Sequence, residues 1–329
     1  MLIDPIEINA MGYKITNLIL LSCLNGIIAS GRSYYASSEY IVVSECFFSR
    51  TSVFNGNGGV ICIEGTGNLN ASSCVFYKCC VSQSLSNMGG AIFFSARSIM
   101  LDKVCGQYCT SYHGHFAWIA SQDGFDNHVY YGTISKCSDQ FTYYCPFRIM
   151  KGKQVFLNTN ITSNGAKEVP GTTYSGATSL SVSYSTFAAN HASHSRIIEL
   201  YGDSSILRSL SFINIIGNTQ TENLFGIVYG DYSGQCSISN SIFQSNSNTL
   251  FYIKVGSMSI LDCNIAHSYT LKFGAVDTIE NKFGTYPLHS LIHYATAMCQ
   301  AEYTMYQITQ ARFVQWRYIQ AFISWLCLY

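Results

Sequence analysis

Residues 89–109 read Gly89-Gly90-Ala91-Ile92-Phe93-Phe94-Ser95-Ala96-Arg97-Ser98-Ile99-Met100-Leu101-Asp102-Lys103-Val104-Cys105-Gly106-Gln107-Tyr108-Cys109. A short apolar run (91–94) follows the glycine pair. A polar bend leads to a second run over 99–101 that extends to Val104, and Cys105-Gly106 reads as a turn. Both runs are too short for helices and read as strands. The same plan recurs at 224–243, where Leu224 to Tyr229, Cys236-Ser237-Ile238 and Ile242-Phe243 follow in that order, and again at 250–261.

Working outward, a phrase Phe-x-x-Cys or Phe-x-x-Asn punctuates the chain. Its clearest copies start at Phe76, Phe187 and Phe243. Aligning its first position puts Phe48, Phe76, Gly106, Ile134, Ile161, Phe187, Phe212, Phe243 and Ile265 in one column, with a period of about 27 residues. Units this short cannot bury an apolar face alone, so they must stack, each strand pairing with its counterpart one period away. The expected fold is all-β: a right-handed parallel β-helix of about nine coils, the hand following from the crossover rule.

The fourth position of the phrase is Cys79, Cys109 and Cys137, then Asn164, Asn190 and Asn246. Asn at equivalent bends can hydrogen-bond its neighbours above and below while tolerating a left-handed backbone, and Cys can substitute as a small buried hydrophobe. These residues, with Phe76, Phe187 and Phe243, are read as a structural ladder. Stacking would bring Cys79 and Cys109 within about 5 Å, compatible with a disulfide, although buried free thiols are the preferred reading.

Composition fits a rod. The chain has 329 residues, four prolines and 11% charged residues, against about 25% in an ordinary soluble domain. Zero formal net charge and the lack of a Lys/Arg block argue against nucleic-acid or anionic-membrane partners. There is no phosphate loop, nucleophile elbow or dinucleotide fingerprint. The fourteen cysteines include no paired Cys-x-x-Cys at zinc-ribbon spacing, so neither a metal nor a cofactor is expected.

The expected organisation is an N-terminal cap coil or signal-like segment at 1–39, the β-helix at 40–272 and a C-terminal cap or truncated anchor at 273–329. In the first segment, residues 15–29 could serve as a signal-peptide h-region, with an ordinary coil as the alternative. In the last, apolar residues three and four apart around His289, His293 and 313–319 suggest helix.

Gly89-Gly90-Ala91-Ile92 and the Phe-x-x-Asn copies at 187–190 and 243–246 resemble the paired repeats of polymorphic outer-membrane proteins and of similar surface β-helix proteins in anaerobic protists. The resemblance covers roughly residues 40 to 268. It implies a pectin-lyase-like rod, extracellular or at the cell surface, that binds a protein or glycan on another cell. A cytoplasmic address is the alternative. The sequons Asn70-Ala71-Ser72 and Asn160-Ile161-Thr162 are permissive of secretion.

β-Helices also carry carbohydrate-active enzymes, which need paired carboxylates. The densest polar constellation is His113, His115, Asp123, Asp126 and His128. A surface loop explains it as well, and no catalytic role is assigned. Arg148 to Lys151 partly resembles a basic motif of polygalacturonases but lacks an accompanying Asp pair. In Tyr130-Tyr131 and Tyr143-Tyr144 a sugar could stack on one ring, with the other expected in the core. The working expectation is a non-enzymatic adhesion scaffold.

Overall fold

The computed structural model describes residues 13–16, 19–21, 40–53, 56–81, 87–137, 144–202, 206–222, 225–247, 249–266, 272–284 and 287. Among them every regular element is a strand, and every pairing of named strands is parallel. The chain winds as a β-solenoid whose coils lay strands onto three lateral sheets. In one coil Ile92–Ser95 belongs to the first sheet, and Ile99–Gln107 supplies the second and then bends into the third. The next coil repeats this with Ala117–Ala120, Asp126–Tyr130 and Thr133–Ser135.

Cys105-Gly106 is therefore strand, contrary to its reading as a turn. The bends flank it, at Lys103 and Tyr108. Among the described residues the first of these corners recurs in ten coils and the second in eight. Glu45, Ser73, Lys103, Tyr131, Asn158, Tyr184, Phe212, Asn240, Asp262 and Glu280 form the first, and Arg50, Lys78, Tyr108, Lys136, Ser163, Ala189, Gly217 and Ser245 the second, all left-handed with φ between 49° and 58°. Non-glycine residues resist this conformation. Here the strain is offset because the corner N–H donates to a carbonyl of the next coil, as from Lys78 to Gln107 at 2.9 Å and from Ala189 to Ile216 at 2.9 Å.

The marker column is the second position of the short third-sheet strands, facing the core from Phe48 to Ile265, whereas Phe283 at the last described rung is exposed. Its register runs Leu20, Phe48, Phe76, Gly106, Ile134, Ile161, Phe187, Ile215, Phe243, Ile265, Phe283. Eight of the nine expected residues are in it, and the file is longer than expected by one rung at each end. The exception is Phe212, which sits on a corner and stacks on Tyr184 (centroids 5.0 Å apart), while Ile215 fills the core. Phe48, Phe76, Phe187 and Phe243 are buried in one continuous core, each contributing about 1.5–3 kcal/mol.

The expected ladder also forms. Asn164 Nδ2 donates to Asn190 Oδ1 (3.1 Å), Asn190 Nδ2 to Asn218 Oδ1 (3.0 Å) and Asn218 Nδ2 to Asn246 Oδ1 (3.0 Å), and each also donates to a carbonyl of the preceding coil. Asn218 was absent from the expected set because its marker is Ile215. The Cys137 N–H joins the ladder through Asn164 Oδ1 at 2.8 Å. A second ladder lines the other corner, where the Thr159 N–H donates to Ser185 Oγ, that of Ile213 to Ser241 Oγ and that of Cys263 to Asn281 Oδ1.

The Gly-Gly pairs lie at the entrance to the first sheet. Gly89 needs its positive φ (70°), and a Cβ on Gly90 would collide with the His115 carbonyl of the next coil. Tyr13–Thr16 and Ile19–Leu21 pair with the coil that follows. The signal-like run beyond residue 21 and the expected helical cap with His289 and His293 lie outside the described residues.

Candidate functional site

Strands of the first sheet alternate inward and outward side chains, and in-register stacking lines their second residues along the rod. The file directed away from the core runs Cys62, Phe93, Trp118, Arg148, Thr173, Glu199, Tyr229, Tyr252; Phe93, Thr173, Glu199 and Tyr229 are buried beneath their neighbours, and Cys62, Trp118, Arg148 and Tyr252 are half-buried and reach solvent. Phe93 and Trp118 stack at 5.0 Å with planes 7° apart, and Tyr229 and Tyr252 at 5.6 Å. Between these aromatic pairs lies a charged centre.

The corner preceding each strand supplies the rest of that centre. Arg196 pairs tightly with Glu199 and reaches Glu168 at 3.9 Å, while Thr173 Oγ1 donates to Glu199 Oε2 at 3.0 Å. The Arg196 guanidinium also lies over the rings of Tyr229 (4.8 Å) and Phe225 (5.4 Å), a cation–π contact that orients it. Burial raises the pKa of Glu168, with Arg196 opposing the shift. Tyr229 is pushed up to about 12, by burial first and then by Asp231. Counting Arg148 and Arg196 against Glu168 and Glu199, the centre carries no net formal charge, although only Arg196 touches the two carboxyls.

The candidates from the sequence do not converge. His113 and His115 lie before the strand Ala117–Ala120, whereas Asp123, Asp126 and His128 lie after it. Gly114-His115 is a degenerate Gly-Gly pair: the Gly89 and Gly90 N–H groups donate to the His113 and Gly114 carbonyls. His115 is fully buried, its Nδ1 accepting the Ser111 N–H and its Nε2 meeting the Tyr144 carbonyl. His113 stacks on Tyr144 at 4.3 Å, and its pKa is lowered to about 4 by burial and by Arg148.

On the other side, Asp123 is exposed beside Lys151 at 3.8 Å. Asp126 lies 3.8 Å from His128, whose Nδ1 shares a hydrogen bond with Tyr130 Oη at 2.7 Å. Neither Tyr130 nor Tyr131 enters the core, since Val129 takes the inward position and Tyr131 is a corner. His191 and His194 bond Thr219 (2.8 Å) and Glu222 (2.7 Å) of the next coil. Asn160 is buried, so that sequon is closed in the folded chain.

Among the described residues no three His, Cys, Asp or Glu side chains gather as a metal would require, and no helix is long and apolar enough to cross a membrane. No family model, curated protein or solved structure matches the chain.

Sequence reasoning missed the outward stripe because its members are 23 to 31 residues apart. The usable signal was phase: Phe93, Trp118, Tyr229 and Tyr252 all occupy the second place of a first-sheet strand.

Proposed function

We propose that the chain is a non-enzymatic surface or secreted scaffold that binds a protein or glycan on another cell through its lateral face. The observation that carries this reading is the outward file. Trp, Tyr and Arg are the residues that dominate binding energy at interfaces, and here they are held in line by sheet register rather than by mobile loops. The resemblance to polymorphic outer-membrane-protein repeats supports the same reading. It is an argument from shape, and the stripe gives it a testable location.

The test has two arms. Surface biotinylation of intact cells producing the tagged full chain should label it; a fully protected pool rejects the surface address. Beads coated with purified protein should bind partner cells, and the triple variant Trp118→Ala, Arg148→Ala, Tyr252→Ala should lower binding at least tenfold. Equal binding by the variant removes the stripe from the function.

A carbohydrate-active reading is favoured by one observation: Glu168 and Glu199 flank the same guanidinium, and burial raises the pKa of Glu168. Glycosidases use a pair of carboxyls, one of them raised so that it can act as the acid. An ion pair that anchors a corner to its sheet explains the same geometry. Release of reducing sugar from neutral oligosaccharides, lost in both Glu168→Gln and Glu199→Gln, would decide for the enzyme.

A further inference from the structure

Ten described cysteines are not in disulfides, and several stand directly above one another. Cys46 and Cys74 immediately precede the register partners Phe47 and Val75. Cys79 and Cys109 each follow the partners Phe76 and Gly106 by three residues. We propose that Cys46–Cys74 and Cys79–Cys109 are oxidation sites that close as two disulfides along the rod axis, each riveting one coil to the next.

Three observations carry this, independently of the function proposed above. Neighbouring strands lie about 4.8 Å apart, inside the roughly 4.4–6.8 Å Cα separation that a disulfide spans. The sulfurs already lean across the gap: Cys74 Sγ donates to the Val43 carbonyl (3.5 Å) and Cys109 Sγ to that of Phe76 (3.5 Å), each in the preceding coil. Cys105, in the same coil as Cys109, is itself disulfide-bonded.

The oxidant required is a small disulfide such as glutathione disulfide. One cysteine thiolate attacks it and expels a glutathione thiolate. The second cysteine thiolate then attacks the mixed disulfide and expels the other glutathione. The two protein thiols lose two electrons, and their protons end on two molecules of glutathione. In the closed rod all four thiols are buried and their thiolates disfavoured, so exchange belongs to folding, before the coils seal.

Cys109 also neighbours Cys137, so three thiols in one file allow one link and leave one thiol. To test the proposal, the full chain is refolded with glutathione disulfide, then unfolded, alkylated and mapped by mass spectrometry. Cys46, Cys74, Cys79 and Cys109 should resist alkylation and appear in two linked peptide pairs, while Cys137 and Cys236 alkylate. In Cys109→Ser, the Cys46–Cys74 link should persist and Cys79 should become alkylatable. Alkylation of those four thiols in the oxidised wild-type chain, or a link from any one of them to a cysteine that is not its neighbour along the file, overturns the proposal. So does a Cys79 cross-linked elsewhere in the variant.

Discussion

Asn218 Oδ1 accepts two hydrogen bonds from Asn190, one from its backbone N–H at 3.1 Å and one from its side-chain Nδ2 at 3.0 Å. Asn218 in turn donates from Nδ2 to the Phe187 carbonyl at 2.9 Å and to Asn246 Oδ1 at 3.0 Å. One buried amide thus closes four bonds across adjoining coils. Asn218→Ala should cost about 3 kcal/mol, since each buried polar group left unpaired costs about 1–3 kcal/mol. Asn218→Cys should lose less, because Cys137 holds the equivalent rung. Urea unfolding of the three proteins measures this, and an Ala variant with the wild-type midpoint would remove the ladder from the stability account.

Ile215 and Phe212 give opposite expectations despite similar chemistry. Ile215→Ala opens the core and should cost about 2–5 kcal/mol. Phe212→Gly forfeits one surface stack but relaxes a left-handed residue, so its net effect should stay under about 1 kcal/mol. Thermal melts of both variants would expose a wrong register here.

Gly106 stands in a column otherwise filled by large side chains because the Phe116 ring occupies the space. A Cβ on Gly106 would strike that ring at Cδ2. Gly106→Ala should destabilise by about 1–3 kcal/mol. Combining it with Phe116→Leu should recover part of the loss, and a double-mutant cycle with no coupling would show that the two sites are independent.

His113 sets an acid response. Its folded value of about 4 lies below the ordinary 6.5, so the unfolded chain takes up the proton first. The favourable contribution of the neutral ring is complete above pH 6.5 and is lost as pH falls from there towards 4. Wild type should lose denaturant resistance over that window faster than His113→Gln; parallel curves would show that the imidazole is solvated.

The legible part of this molecule was its interior. Period, apolar phase and the Asn/Cys ladder are repeated constraints, and repetition averages out local exceptions. The Phe212 misalignment shows the limit. A local phrase, Phe212-Ile213-Asn214, outweighed the regular spacing of Phe187, Ile215 and Phe243, each 28 residues after the last, with Asn218 at the correct offset. The exterior was less legible because outward positions recur with the coil but their residue types do not, Cys62, Arg148, Thr173 and Glu199 sharing a file with four aromatic residues. Glu168, Arg196 and Glu199 meet only through register and corner geometry, whereas in His113-Gly114-His115, part of the densest polar constellation of the sequence, Gly114-His115 takes the place of a glycine pair.

The paired left-handed corners make the length of this molecule adjustable in discrete steps. Excising one full period between equivalent corners rejoins a strand to another of the same phase, and the shorter spindle keeps its seams intact. Cutting half a period would turn oily residues to water and bury the polar ones.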